Sequence, residues 1–378
     1  FDLNVIENNI PEDINLTLLT YEYQKDWTKF FGDRGDDRGY GIRQDNDGNF
    51  YIFGETNGNL GGDFNKGSDD GFLSKFDKNW NMLWTNIIGS KNPDYVGVRD
   101  LLVADDNSIF IVGGVRGDLF DKSLNGEANG YLTKYQSDGT REWTEMLFTP
   151  LSSNARKGAR GLTGSSRLAI SQDGFIYVLG DTYEQRYDFD GDYDIIPNLF
   201  YGQTHKGRSD VFVAQYDFNG NRNWETLIGS SHNEYVGKII TSNDGSIYIA
   251  GSTYGPSFNS TWSYDNFSNG FYGTPHISRN ATGDIYLVKI GSDGIIDWTN
   301  LIGSSEGDSV SDLIIGEDNS IYLVGSAGST IDELNNKERA RFISKFKIDG
   351  TREWTKSIGS VGSALDLLPS GTSKNYSD

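Results

Sequence analysis

The chain has 378 residues, a formal net charge of −21 from 54 acidic and 33 basic side chains, and no Cys. That charge repels nucleic acid phosphates and anionic membrane surfaces, so neither is an expected partner. Without Cys there is no disulfide and no thiolate metal site. No run of about 18 apolar residues occurs, so no membrane insertion by a helix is expected. The 47 Gly and 13% aromatics against 7 Pro suit short strands and tight turns, not disorder. The acid excess reads first as solubility in salty water and second as a source of cation ligands. The chain opens at Phe1 with neither Met nor a charged and apolar leader. It reads as a chain whose signal peptide or upstream region has been removed, or whose true start is missing.

In chain order, residues 2–7 and 16–20 are short strand candidates, and residues 21–31 read as a lone strand around Trp27. From there one unit recurs. Trp27, Trp84, Trp143, Trp224, Trp298 and Trp354 follow one another at spacings of 57, 59, 81, 74 and 56 residues. After most of these Trp comes an apolar residue with Gly-Ser, as in Ile88-Gly89-Ser90 and Ile228-Gly229-Ser230. An apolar stretch and an acidic turn follow. A strand then occupies 49–54, 109–113, 176–180, 247–251 and 321–325, in the pattern Ile247-Tyr248-Ile249-Ala250-Gly251. A loop of variable length leads to a further strand at 72–76, 131–135, 212–216, 286–290 and 342–346. These strands are rich in β-branched and aromatic residues. Asp47-Gly48, Asp173-Gly174, Asn219-Gly220, Asp244-Gly245 and Asp293-Gly294 supply the positive φ that tight hairpins need.

Each unit therefore predicts four antiparallel strands, a to d, with the Trp on d. Four-stranded units of about 40–60 residues are the mark of a propeller blade. Solenoid repeats are shorter, and sandwiches need about 100 residues. The expected fold is an all-β, single-domain β-propeller over 1–368, with repeats at about 28–84, 85–143, 144–224, 225–298 and 299–354. The ends, 1–27 and 355–368, are expected to join as a composite sixth blade, the alternative being a five-bladed ring with overhanging ends. Residues 369–378 read as a flexible tail.

The pattern Gly-x-Ile-Tyr-x-x-Gly, Asp-x-Phe, Phe-Leu-x-Lys-Tyr, Asp-Gly and Trp-Thr resembles the bacterial β-propeller repeat family called SBBP. Its best copy runs from Gly61-Gly62-Asp63-Phe64 to Trp84-Thr85, and the resemblance covers residues 21–368. It implies a secreted or surface-exposed bacterial protein. Asp349-Gly350-Thr351-Arg352-Glu353-Trp354 is also similar to the quinoprotein-type propeller repeats of quinone-dependent dehydrogenases and to repeats of an outer-membrane assembly lipoprotein.

Short, uniform a–b and c–d turns are expected on one face of such a fold, and all large length variation falls in b–c loops and d–a linkers on the other. Function is expected where loops vary on a rigid scaffold. Three sets of residues stand out. Asp188, Asp190, Asp192 and Asp194 alternate around Gly191, as hard-cation ligands do, and make Ca²⁺ a candidate cofactor beside the alternative of a solvated acidic loop. The insertion at 254–283 places Tyr254, Trp262, Tyr264, Phe271 and Tyr272 among Ser, Asn and Gly. That composition suits stacking on sugars or anchoring a protein partner; the alternative is packing under the loop itself. Asp37, Asp94, Glu234 and Asp308 each stand five residues after a linker Gly. They either ring the mouth of the channel lined by the a strands or cap backbone N–H groups at blade junctions. The repeated Trp residues read as blade-to-blade packing.

His205, His232 and His276 show no metal-ligand spacing, and no nucleophile or phosphate-loop motif is present. The expected function is a non-catalytic, adhesin-like binding module that recognises a glycan or protein through the b–c face. It is expected at the cell surface, outside the cell or on a virion. The alternatives are a structural part of a surface layer or phage particle, and a glycosidase or quinone-dependent enzyme.

Overall fold

The structure, a computed structural model, describes residues 28–91, 97–123, 128–147, 166–183, 199–200, 203–204, 206, 209–230, 233–254, 271–272, 283–329, 331 and 339–360. Two compact units are distinguished, Phe1–Gly32 and Asp33–Asp378. Residues 28–32 of the first form no strand. The described part of the second is all-β, with no helix of any length and so none that crosses a membrane.

The strands fall into five four-stranded sheets in chain order. The first holds β1 (Asp37–Gln44), β2 (Phe50–Thr56), β3 (Asp70–Phe76) and β4 (Met82–Ile88). The second holds β5 (Val98–Val103), β6 (Ile109–Arg116), β7 (Ala128–Tyr135) and β8 (Arg141–Met146). The third begins with β9 (Ser166–Ile170) and β10 (Ile176–Tyr183). A small hairpin of β11 (Leu199–Phe200) and β12 (Gln203–Thr204) intervenes before β13 (Ser209–Tyr216) and β14 (Arg222–Ile228) complete that sheet. The fourth holds β15 (Asn233–Thr241), β16 (Ile247–Tyr254), β17 (Gly283–Ile290) and β18 (Ile296–Ile302). The fifth holds β19 (Ser309–Ile315), β20 (Ile321–Ala327), β21 (Ala340–Phe346) and β22 (Arg352–Ser360). Every neighbouring pair within a sheet is antiparallel, and a single parallel bridge, Ser209 to Asn233, joins the third sheet to the fourth. The expected order a to d thus recurs five times, with Trp84, Trp143, Trp224, Trp298 and Trp354 on the fourth strands. Trp27 lies outside the described residues.

The sheets pack face to face in series. Each first strand lies against the preceding sheet, β5 on β1, β9 on β5, β15 on β9 and β19 on β15. Four apolar layers result, one per junction. Because the three inner sheets are covered on both sides, their middle strands are apolar at odd and even positions alike. In β6, Ile109 and Ile111 enter the layer shared with the first sheet, while Phe110 and Val112 enter the layer shared with the third. Side chains alternate faces at every residue, so a strand buried twice needs a near-continuous apolar run. Five four-stranded antiparallel sheets packed this way fit a β-propeller.

The Trp of each of the first four sheets reaches across to the next sheet. Trp84, Trp143, Trp224 and Trp298 donate their indole N–H to the carbonyls of Ser137, Phe218, Ser292 and Ile348, at 3.3, 3.1, 2.9 and 3.1 Å. Those acceptors all sit in the turn between the third and fourth strands of the following sheet. In that turn a Gly with positive φ lies flat against the ring: Gly139, Gly220, Gly294 and Gly350. A Cβ on Gly294 would stand 2.6 Å from the Trp224 ring. Gly is thus needed twice, for the left-handed backbone and for the close approach. The first sheet differs, because Trp80 takes the Gly position at φ 63° and stacks on Phe50 at 4.6 Å.

Candidate functional site

The turns at one end of the sheets are nearly identical. Between first and second strands, the bonds Asp45 N–Asn49 O, Ala104 N–Ser108 O, Ser171 N–Phe175 O, Ser242 N–Ser246 O and Gly316 N–Ser320 O span 2.8 to 3.0 Å. Between third and fourth strands the equivalent bonds, from Asp77 N–Asn81 O to Lys347 N–Thr351 O, span 2.8 to 2.9 Å. Asp carboxylates hold these turns by accepting N–H groups two residues on, as Asp138 does from Thr140, Asp244 from Ser246 and Asp349 from Thr351. Much of the acid excess is therefore turn chemistry. At the opposite end, the connections between second and third strands run through 57–69, 117–127, 184–208, 255–282 and 328–339, and they share no common length.

The predicted aromatic set divides. Tyr254 ends β16, is 37% exposed, and meets the ring of Tyr235 edge-on at 5.2 Å. Phe271 is fully buried in the layer between the third and fourth sheets, stacked on Tyr286 at 5.1 Å. A ring with no exposed surface cannot stack on a sugar, so Phe271 belongs to the core. It seals the layer from the loop end, as buried Leu119 does in the loop of the second sheet. Tyr272, at φ 46°, is half-buried beside it; its hydroxyl donates to Leu227 O at 3.3 Å and its face carries Lys206 Nζ at 4.1 Å. Phe120 and Lys66 repeat that arrangement, at 5.4 Å, between the first two sheets. Trp262 and Tyr264 lie outside the described residues, as do Asp188, Asp190, Asp192 and Asp194. Among the described residues no three His, Cys, Asp or Glu converge on a cation position.

The acids expected either to ring a channel mouth or to cap backbone N–H groups make capping contacts where they are described. Glu234 is fully buried and accepts Ser230 N at 2.9 Å, Ser230 Oγ at 2.5 Å and Thr253 Oγ1 at 2.7 Å. Asp308 accepts Ser304 N at 2.7 Å, Ser304 Oγ at 2.8 Å and Gly328 N at 3.1 Å. Asp37 accepts Asp33 N at 2.9 Å and Thr56 Oγ1 at 2.6 Å. Each fastens the start of a first strand to the end of the second strand beside it. Asp94 lies outside the described residues. Burial, with the Asp284 carboxylate nearby, pushes the Asp308 carboxyl up to about 6.

A second acidic set escaped the sequence reading. Asp70, Asp210 and Asp284 open third strands and are fully buried. Asp70 Oδ2 accepts the N–H groups of Lys66 and Gly67, and Asp210 Oδ2 accepts that of Lys206 at 2.7 Å. The Gly of each Ile-Gly-Ser, at 89, 229 and 303, passes directly over these carboxylates, where any Cβ would collide with them. The signal was present in the sequence as an Asp beginning an apolar run, paired with an invariant-looking Gly-Ser one hairpin later.

The space between first strands carries the opposite charge. A cavity of about 440 Å³ is lined by Tyr40, Arg43, Phe53, Arg99, Asp100, Arg167, Leu168, Lys238 and Ile239, drawn from the first four sheets. β1, β5, β15 and β19 each break register at a β-bulge, at Gly39/Gly41, Val98/Asp100, Val236/Lys238 and Val310/Asp312. A bulge re-aims the side chains around it, and here it turns Tyr40 and Arg99 toward one another, Arg99 Cζ lying 4.6 Å from the Tyr40 ring. Arg43 pairs with Asp100 at 2.8 Å, and Asp100 also accepts Leu168 N at 3.0 Å, tying three sheets together.

No protein-family model matches the chain. It is similar to the regulatory protein FlaEY of Caulobacter vibrioides, 24% identical over 239 residues that are 61% of this chain and 22% of that protein. It is also similar to the uncharacterized WD repeat-containing protein L264 of Acanthamoeba polyphaga mimivirus, 20% identical over 46% of this chain and 14% of that protein. The chain therefore spans under a quarter of the length of either curated relative. WD repeats build four-stranded propeller blades, which accords with the sheets seen here. Among solved structures, a eukaryotic initiation factor aligns at a TM-score of 0.37 and 11% identity, over 86% of this chain and 55% of that one. A mannose phosphorylase from Leishmania mexicana aligns at 0.35 and 10%, over 85% of this chain and 86% of that one.

Proposed function

We propose that the chain is a β-propeller with five complete blades, its two ends joining as a sixth, and that it serves as a non-catalytic binding module recognising a glycan or protein through the b–c loop face. The observation that carries this reading is the contrast between the two ends of the sheets. Five near-identical turns of each kind form one end, while the other joins connections of unrelated length to the same rigid strands. Sequence and length freedom on a fixed scaffold is the arrangement that recognition surfaces use. Exposed Tyr254, at the base of the longest connection, supplies an aromatic face there. The resemblance to SBBP repeats supports a secreted or cell-surface setting, adhesion or membership of a larger surface assembly, and a bacterial source. The alternating acids Asp188, Asp190, Asp192 and Asp194 support Ca²⁺ as a cofactor of that face.

A glycan-array screen with and without Ca²⁺ tests the reading. Specific binding is expected, lowered at least about tenfold by Tyr254→Ala combined with Trp262→Ala. Loss on chelation assigns the acidic run to Ca²⁺. Binding unaffected by the double substitution removes the b–c face as the recognition surface, and the absence of binding in both buffers favours a structural role in an assembly.

A further inference from the structure

We propose that the cavity between the first strands is a binding site for a small ligand bearing an oxyanion, a carboxylate or phosphate group, with Arg167 as its principal contact. This site stands apart from the b–c loops and does not depend on the reading given for them.

The charge balance is the first ground. In a chain of net charge −21, four cations from four different sheets, Arg43, Arg99, Arg167 and Lys238, line one cavity. Three of them have carboxylate partners. Arg43 pairs with Asp100 at 2.8 Å, Arg99 stands 3.9 Å from Glu55, and Lys238 stands 3.3 Å from Asp312. Glu55 is shared, since Arg38 holds its other oxygen at 2.8 Å. Among the described residues Arg167 has no such partner. Among the described residues its one hydrogen bond goes to the carbonyl of Ser166, at 2.8 Å, which engages a single donor of a five-donor fork. The residue is half-buried, so its charge is neither buried away nor fully bathed in water.

The second ground is placement. Arg167 lies on β9 and Lys238 on β15, in equivalent register: Arg167 opposes Leu179 and Lys238 opposes Ala250. The same position holds Asp100 in the second sheet and Asp312 in the fifth. Adjacent sheets thus present two cations side by side, flanked by two carboxylates, of which Asp100 holds Arg43 and Asp312 holds Lys238 itself. An arginine fork on a strand, with its neighbours fixed by ion pairs, is preorganised for an oxyanion. The third ground is the wall. Tyr40 and Phe53 give the cavity aromatic sides, and Arg99 and Arg43 lie over those rings at 4.6 and 5.8 Å. A volume of about 440 Å³ is that of a small-molecule site with a few convergent polar groups. It admits a sugar acid or a phosphate and excludes a folded partner.

The test is isothermal titration of the whole chain at low ionic strength with sodium glucuronate, inorganic phosphate and glucose. Saturable binding of at least one oxyanion and none of glucose is expected. The arm that binds tells carboxylate from phosphate. Arg167→Gln is expected to weaken binding at least tenfold, and raised salt to weaken it further. Lys356→Gln removes an exposed cation on β22 and is expected to leave affinity unchanged. If Arg167→Gln does not fold, Lys238→Gln is read instead, with a loss of at least threefold expected. No saturable binding of either oxyanion up to about 10 mM overturns the proposal. So does equal binding of glucose, equal affinity in the variant of the cavity, or an equal loss with Lys356→Gln.

Discussion

The outgoing side of the third sheet and that of the fifth, Trp224 to Ser230 and Trp354 to Ser360, share the Trp and the Ile-Gly-Ser at the same places. Their surroundings differ completely. Ile228 has no exposed surface, whereas its counterpart Ile358 is 57% exposed. The incoming sides differ likewise, Leu101 and Leu313 being 1% and 2% exposed where Ile42 of the first sheet is 46% exposed. The turns repeat the lesson: Gly294 is pressed against Trp224, while the same place in the first sheet accommodates Trp80. A repeat residue has no energetic value of its own. It acquires one from the sheet set against it, as expected for arrays whose stability is a sum of unit and interface contributions.

Urea unfolding of paired variants sharpens this contrast. On the five described sheets alone, the largest difference is between Ile228→Ala and Ile358→Ala, about 3 kcal/mol for the first and under about 0.5 for the second. Equal costs would show that a further sheet covers Ile358 in solution, which is what a composite sixth blade requires. Next comes Gly294→Ala, expected to cost about 2–3 kcal/mol because the new Cβ meets both a positive φ and the Trp224 ring. Trp80→Gly is expected to stay within about 1 kcal/mol, since the relief of its left-handed backbone offsets the stacking lost against Phe50. A smaller cost for Gly294→Ala than for Trp80→Gly breaks the account of the Trp latch.

A pH-dependent effect concerns the junction acids. Asp308 holds its proton up to a pH of about 6 in the folded chain, against about 3.8 when unfolded. The folded state therefore binds the extra proton between those values. The contribution of Asp308 is most favourable below about 4 and is lost as pH rises through 6. Relative to Asp308→Asn, the natural chain is expected to gain about 2 kcal/mol between pH 7 and pH 4. A difference between the two that is flat over this range removes Asp308 as a buried titrating group. Other carboxylates act oppositely: Asp318, held at about 2 by Lys345 and Tyr322, favours folding at higher pH.

Much of the fold was legible in the sequence. The strands, their order and the Trp on the fourth strand follow from a pattern repeated five times, because alternation and turn residues are local properties. The candidate site was far less legible. Phe271 carries the same letter as a surface aromatic, and only its place over the third sheet puts it in the core. Glu234 and Asp308 were visible as a repeated acid, and both readings of them were open; the Ser four positions before each supplies the N–H it accepts once the linker folds back. Arg43, Arg99, Arg167 and Lys238 share no common spacing and were hidden by the sign of the whole chain.

The sequence by itself determined the secondary structure, the repeat and the polarity of the turns, since each depends on contacts within a few residues. Which carboxylates are buried, which aromatic is core and where the cations meet were decided only by tertiary structure. Those properties belong to pairs of residues in different sheets, and the packing of one sheet on the next is what brings them within reach.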